Sequence, residues 1–108
     1  MSGVVLLYVT VSGLEEAETL GRILLEKRLC ACVNIFPEMR SFYWWEGKIE
    51  SSREAVLIVK TTQRLAEPAR EEIVRHHSYS CPCVLIIPVS GGHGPFLEWI
   101  FTETARPE

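Results

Sequence analysis

Two short runs, Val4–Val9 (VVLLYV) and Ala55–Val59 (AVLIV), are apolar at every position. A strand sends alternate side chains to opposite faces, so these runs have no face to offer to water. They belong deep in a sheet or under cover on both sides. The segment after the first run has helical spacing instead, with Ala17, Leu20, Gly21 and Leu24 at i, i+3, i+4 and i+7. Ser12-Gly-Leu-Glu15 precedes it in capping-box form, with Ser12 set to accept from the amide three residues on and Glu15 to reach back. Glu15, Glu16 and Glu18 load the first turns, and Lys27 and Arg28 the last, as the helix dipole favours. A helix to about Arg28 is expected.

Ala31–Trp45 is β-rich, although Pro37 interrupts it, and proline in a sheet is confined to an edge or a bulge. Glu46-Gly47 reads as a tight reversal, after which Lys48–Thr61 runs out as another strand. Leu65, Ala66, Ala69 and Ile73 make a second helical stripe that ends near His76-His77. Ser78–Pro82 is turn-like, Cys83–Val89 is a strand with Pro88 marking it as an edge, and Ser90–Pro95 is a loop. Phe96, Leu97, Ile100 and Phe101 suggest a short terminal helix. The order is βαββαβ plus one helix, the split βαβ pattern of an α+β, ferredoxin-like sandwich. The fully apolar strands one and three should be central and the proline-bearing strands two and four should be edges. That gives an antiparallel sheet of order 4-1-3-2 with the first two helices on one face.

The chain has 108 residues and a mass of 12.3 kDa, the size of one domain spanning 1–108. Hydrophobic residues make up 47% and charged residues 23%, which excludes wholesale disorder. A net charge of −3 argues against nucleic acid as a partner. No apolar run approaches the length of a membrane span, and Met1-Ser2-Gly3 lacks a basic leader, so a cytoplasmic protein is expected. The cysteines fall in two close pairs, Cys30/Cys32 and Cys81/Cys83. Reduced thiols packed as small hydrophobes, a thiolate metal site and redox chemistry all remain open readings, because a CxC spacing is not the usual zinc signature.

Lys48–Thr61 has 14 residues. Fully extended it would reach about 46 Å, whereas a compact domain of this size is about 34 Å across. The hairpin must bend or project. Phe42, Tyr43, Trp44 and Trp45 stand consecutively at its tip, so a projecting hairpin would expose an apolar patch of the kind that marks a partner surface. The alternative is that the terminal helix covers these rings.

RLCACVNI (28–35), SFYWWEGKIE (41–50), LIVKTT (57–62), HHSYSCP (76–82), IIPV (86–89) and LEWI (97–100) together resemble the CutA family of divalent-cation tolerance proteins, in order and spacing over nearly the whole chain. The resemblance implies a ferredoxin-like subunit, a tight homotrimer, architectural kinship to the PII signalling trimers, and an association with copper and other divalent ions. His76 and His77 match the family's metal-associated pair, and Cys32 belongs to its motif. Two departures stand out. Val9 occupies a position where some members carry a cysteine implicated in copper binding. The family's His-Pro-Tyr-Glu-x-Pro-Glu is replaced by His77-Ser78-Tyr79-Ser80-Cys81-Pro82-Cys83. Oxygen ligands have given way to sulfur, so a site built from His76, His77, Cys81, Cys83 and Cys32 would favour copper(I) or zinc over magnesium or calcium. Trp45, Lys60 and Tyr79 also match family motifs and are candidates to line a cleft where one subunit's hairpin meets its neighbour. There Lys60 would hold an anionic ligand or form an interface ion pair. No local signature of nucleophilic or paired-carboxylate catalysis is present. The expectation is a non-enzymatic homotrimer that binds soft metal at subunit clefts. The alternatives are a PII-like small-molecule sensor and a scaffolding trimer.

Overall fold

The computed structural model describes residues 2–105. The elements run β1 (Val4–Val11), α1 (Leu14–Glu26), β2 (Cys32–Trp45), β3 (Lys48–Thr62), a 3-10 turn (Gln63–Leu65), α2 (Ala66–His76), β4 (Val84–Val89) and α3 (Gly94–Glu103). The sheet is antiparallel in the order β2-β3-β1-β4, so the two fully apolar strands are central and the two proline-bearing strands are the edges, as the apolar runs require.

One face of the sheet carries Val5, Leu7, Val9 and Val11 of β1 and Ala55, Leu57 and Val59 of β3, all buried. Ala17, Leu20 and Leu24 of α1 and Ala69 and Ile73 of α2 pack on them as one core. Gly21 lets α1 come close to the sheet: a Cβ there would stand 3.0 Å from the Val33 side chain. The opposite face carries Leu6 and Tyr8 of β1, Phe36 of β2, Ile58 of β3 and Leu85 and Ile87 of β4, as the cross-strand partners dictate. α3 packs against β3, with Phe96 beneath the Lys60 ammonium at 5.4 Å from ring centroid to Nζ. Much of the rest of this face stays open, with Phe36 57% and Leu85 55% exposed.

The β2–β3 ladder extends well beyond the end of β1 and gives the molecule a long axis of 44 Å against 25 and 21 Å across. Its turn has φ of 50° at Glu46 and 81° at Gly47, the two positive values that a tight type I′ reversal needs. Phe42, Tyr43, Trp44 and Trp45 are all exposed, so α3 does not cover them.

The start of α1 differs from the capping-box expectation. The helix begins with Gly13 as its N-cap and has no side-chain cap bond. That start is one residue later than the box requires, and Glu16 rather than Glu15 faces back. The Ser12 amide and hydroxyl both donate to Glu16 Oε1, at 2.9 and 2.8 Å. The helix also ends earlier than Arg28. Lys27 is the C-cap and Arg28 takes φ of 57°, with Arg28 N–H donating to the Leu25 carbonyl and Leu29 N–H to the Leu24 carbonyl. These are the two bonds of a Schellman end, built without its usual glycine.

Candidate functional site

Between β2 and β3 the register shifts from Phe36 opposite Val56 to Met39 opposite Glu54. β2 therefore carries one extra residue at Pro37-Glu38, where proline removes a ladder donor. One added residue exchanges the two faces of every later position in that strand. Met39, Ser41, Tyr43 and Trp45 thereby join the face that bears Glu54, and without the bulge they would point away from it. The Tyr8 hydroxyl on that face lies 3.7 Å from the Met39 sulfur.

The bulge thus builds one wall of a cleft of about 550 Å³ lined by Thr10, Ser41, Phe42, Tyr43, Trp45 and Glu54 from the sheet and by Tyr79, Ser80, Cys81 and Cys83 from the loop after α2. Glu54 is buried at 8% exposure. Its carboxylate accepts from the Ser41 hydroxyl at 2.5 Å and from the Tyr79 hydroxyl at 2.9 Å. Burial pushes the Tyr79 phenol well above its ordinary range. The hydrogen bond to Glu54 and the charges of Glu54 and Glu16 push it further, so it stays a neutral donor.

The loop that carries Tyr79 is held from beneath. The His77 side chain is fully buried. Its Nδ1 accepts from the Tyr79 amide at 3.1 Å, so Nε2 bears the proton and donates to the Thr10 carbonyl at 2.8 Å. Its ring lies 4.7 Å from that of Tyr79. Ser78 adds a second fastening, donating through its amide to Glu16 Oε2 at 2.8 Å and through its hydroxyl to Glu16 Oε1 at 2.9 Å. Burial raises the Glu16 carboxyl, but the four bonds from Ser12 and Ser78 outweigh it and hold the group at about 2.

The residues singled out in the sequence separate in space. Trp45, Tyr79, Cys81 and Cys83 share the cleft. Lys60 does not line it, because it pairs with Leu6 and Cys32 toward the far end of β3. Cys32 is at that same end, with its sulfur near the Val33 carbonyl. His76 ends α2, where its Nε2 lies 3.0 Å from Glu72 Oε1, and both nitrogens of His77 are already engaged. Among the described residues no three His, Cys, Asp or Glu side chains are grouped to hold a metal ion. One chain alone therefore does not assemble the expected ligand set. All four thiols are free, and burial pushes Cys30 up to about 12, which keeps it an unreactive core thiol. The sequence reading missed Glu54 and Glu16. The only signal for Glu54 was a carboxylate set directly before an apolar run.

A family model described as CutA1 divalent ion tolerance protein matches residues 5–103. The chain belongs to the CutA1 family. Among its CutA1 relatives, the divalent-cation tolerance protein CutA of Archaeoglobus fulgidus is 50% identical over 94 residues, 87% of this chain and 91% of that one. The Pyrococcus horikoshii protein of the same description is 39% identical over 102 residues, 94% and 99% of the two chains. The solved structure of the A. fulgidus protein, described as periplasmic, superposes with a TM-score of 0.90 at 46% identity, covering 93% of this chain and 97% of that one. CutA1 from Oryza sativa superposes at 0.93 with 36% identity, covering 96% and 95%. The CutA1 motifs and the α+β fold read from the sequence are thus both found, and this is not a family of known enzymes.

Proposed function

We propose that this protein is a non-enzymatic, cytoplasmic homotrimer that takes up soft metal ions such as copper(I) or zinc at clefts completed by a neighbouring copy. The cleft bearing Cys81 and Cys83 carries the reading. Two thiols offered at one mouth suit a soft ion, and a closed shell needs at least one more ligand than the chain itself supplies there. The open sheet face and the aromatic hairpin support assembly, since an exposed apolar surface of this kind marks a partner contact. His76 and His77 take no part in the revised ligand set, being engaged by Glu72 and by the Thr10 carbonyl and Tyr79 amide.

Calorimetry under reducing conditions with zinc and copper(I) tests this. The parent and His76→Ala should bind with the same stoichiometry, and Cys81→Ser/Cys83→Ser should lose uptake. Equal binding in the parent and the double serine variant would remove the thiols from the reading.

A further inference from the structure

The floor of the cleft holds a charge without a counter-ion. Glu54 is more than nine-tenths buried, and the two groups bonded to it, the hydroxyls of Ser41 and Tyr79, are neutral. Among the described residues, the ion pairs formed involve Glu16, Glu67, Glu72 and Glu103, and none involves Glu54. Neutral hydroxyls fill lone pairs but leave the net charge uncompensated, and a buried charge of that kind is costly until it is paired.

The walls around it are aromatic. Tyr43 and Trp45 reach the cleft from the hairpin because the Pro37 bulge turned them to the Glu54 face, and Tyr79 closes the other side. The π-face of such a ring attracts a cation, most strongly one that is weakly hydrated and already partly desolvated. The volume, about 550 Å³, falls within the range of small-molecule sites.

We propose that this cleft binds a small alkylammonium cation, with Glu54 as its counter-charge and Tyr43, Trp45 and Tyr79 as its aromatic walls. A hard divalent metal fits poorly, because it requires about six oxygen ligands and gains little from rings. A soft metal would take the thiols of Cys81 and Cys83 and would not need Glu54. The site is thus independent of the metal reading, although both use one cleft. The raised phenol of Tyr79, in part a consequence of the Glu54 and Glu16 charges, agrees with a negative potential in the cleft.

Calorimetry of the assembled parent protein with tetramethylammonium chloride, against tert-butanol as an uncharged molecule of similar shape and sodium chloride at equal ionic strength, tests the site. Saturable binding of tetramethylammonium is expected, with tert-butanol weaker by at least about tenfold, the size of one desolvated cation–π and charge contact. Glu54→Gln, which keeps the side chain's shape, should weaken tetramethylammonium by about tenfold. Tetramethylammonium is titrated with no zinc or copper(I) present and cannot be a thiolate's metal, so failure of the metal reading and failure of this one are distinguishable. The proposal is overturned if the two probes bind alike, if no saturable binding occurs because a basic side chain of a second copy already fills the cleft, or if a folded Glu54→Gln variant binds as the parent does. Should that variant fail to fold, the two-probe comparison on the parent still decides.

Discussion

β3 passes through two environments. From Glu54 to Thr62 it is largely buried, paired with β1 on one side and β2 on the other and covered by α1 and α2. From Lys48 to Arg53 it is largely exposed and pairs with β2 alone. The root has the sequence EAVLIVKTT, with no face for water along its apolar centre, and the tip has KIESSR opposite four consecutive aromatics. A two-stranded ribbon is marginal by itself in water. The root is therefore a folding element, while the tip's large rings stay exposed or half-exposed in the single chain.

The sharpest way to break this distinction is to truncate one large side chain in the root of β3 and one on β2 opposite its tip. Leu57 is fully buried and Trp44 is 72% exposed. Leu57→Ala should cost about 2–5 kcal/mol by urea denaturation, from lost burial and the cavity left behind. Trp44→Ala should act on assembly instead. Light scattering should give the parent a mass of about three times 12.3 kDa and the variant a lower mass at the same micromolar concentration, with a melting temperature that depends more steeply on dilution. If the Trp44 variant keeps the parent's mass and melting temperature, the tip carries no partner contact.

A smaller effect separates the polar fastening of the root from its apolar packing. Glu16 ties the start of α1 to the loop that presents Tyr79, and hydrogen bonds from Ser12 and Ser78 hold its carboxyl at about 2 against a usual value of 4.5. A depressed carboxyl contributes stability that is present above the unfolded-state value and is lost as pH falls through the folded one. Parent stability should therefore decline between about pH 4.5 and 2, in part through this group. Glu16→Gln should cost about 1–3 kcal/mol at neutral pH, the usual worth of bonds to a charged acceptor. Denaturant midpoints measured across that window should be flatter in the variant. A decline as steep as the parent's would assign the acid sensitivity to other carboxylates.

What could be read from the sequence divides along the same line. The strand order followed from which runs are apolar on both faces and where proline interrupts, because burial dictates those patterns. Tyr79 and Trp45, expected in an anion or ion-pair cleft, and Cys81 and Cys83, expected in a metal site, line one and the same cleft. Lys60 and Cys32 do not join them, because their place is set by a cross-strand register along a long ribbon, which residue spacing alone does not report. Pro37 allowed an edge or a bulge and was read as marking an edge, and it did not state which aromatics a bulge would turn toward Glu54. The Glu16 clamp depended on a helix start displaced by one residue and on a serine 62 positions away, a contact invisible to any local pattern.

The finest test of the comparison improves the tip without touching the root. Glu46 adopts φ of 50° at the first turn position, and Gly47 follows at 81°. A left-handed backbone brings Cβ close to the following carbonyl in most residues, whereas asparagine tolerates it, and Asn-Gly is the favoured pair for this reversal. Nothing crowds the space where a Cβ on Gly47 would lie, so the turn is open and only its backbone conformation is at issue. Glu46→Asn should stabilise the hairpin by less than about 1 kcal/mol, an amount set by relief of one strained residue. Amide hydrogen exchange resolves this more finely than bulk unfolding, because local opening of a ribbon tip has its own free energy. Protection should rise at the Tyr43–Glu50 and Trp45–Lys48 pairs nearest the turn and stay unchanged at the Ile35–Leu57 pair in the root. Equal gains at both ends would show that root and tip open as one unit, and the two-environment description of β3 would not extend to its dynamics.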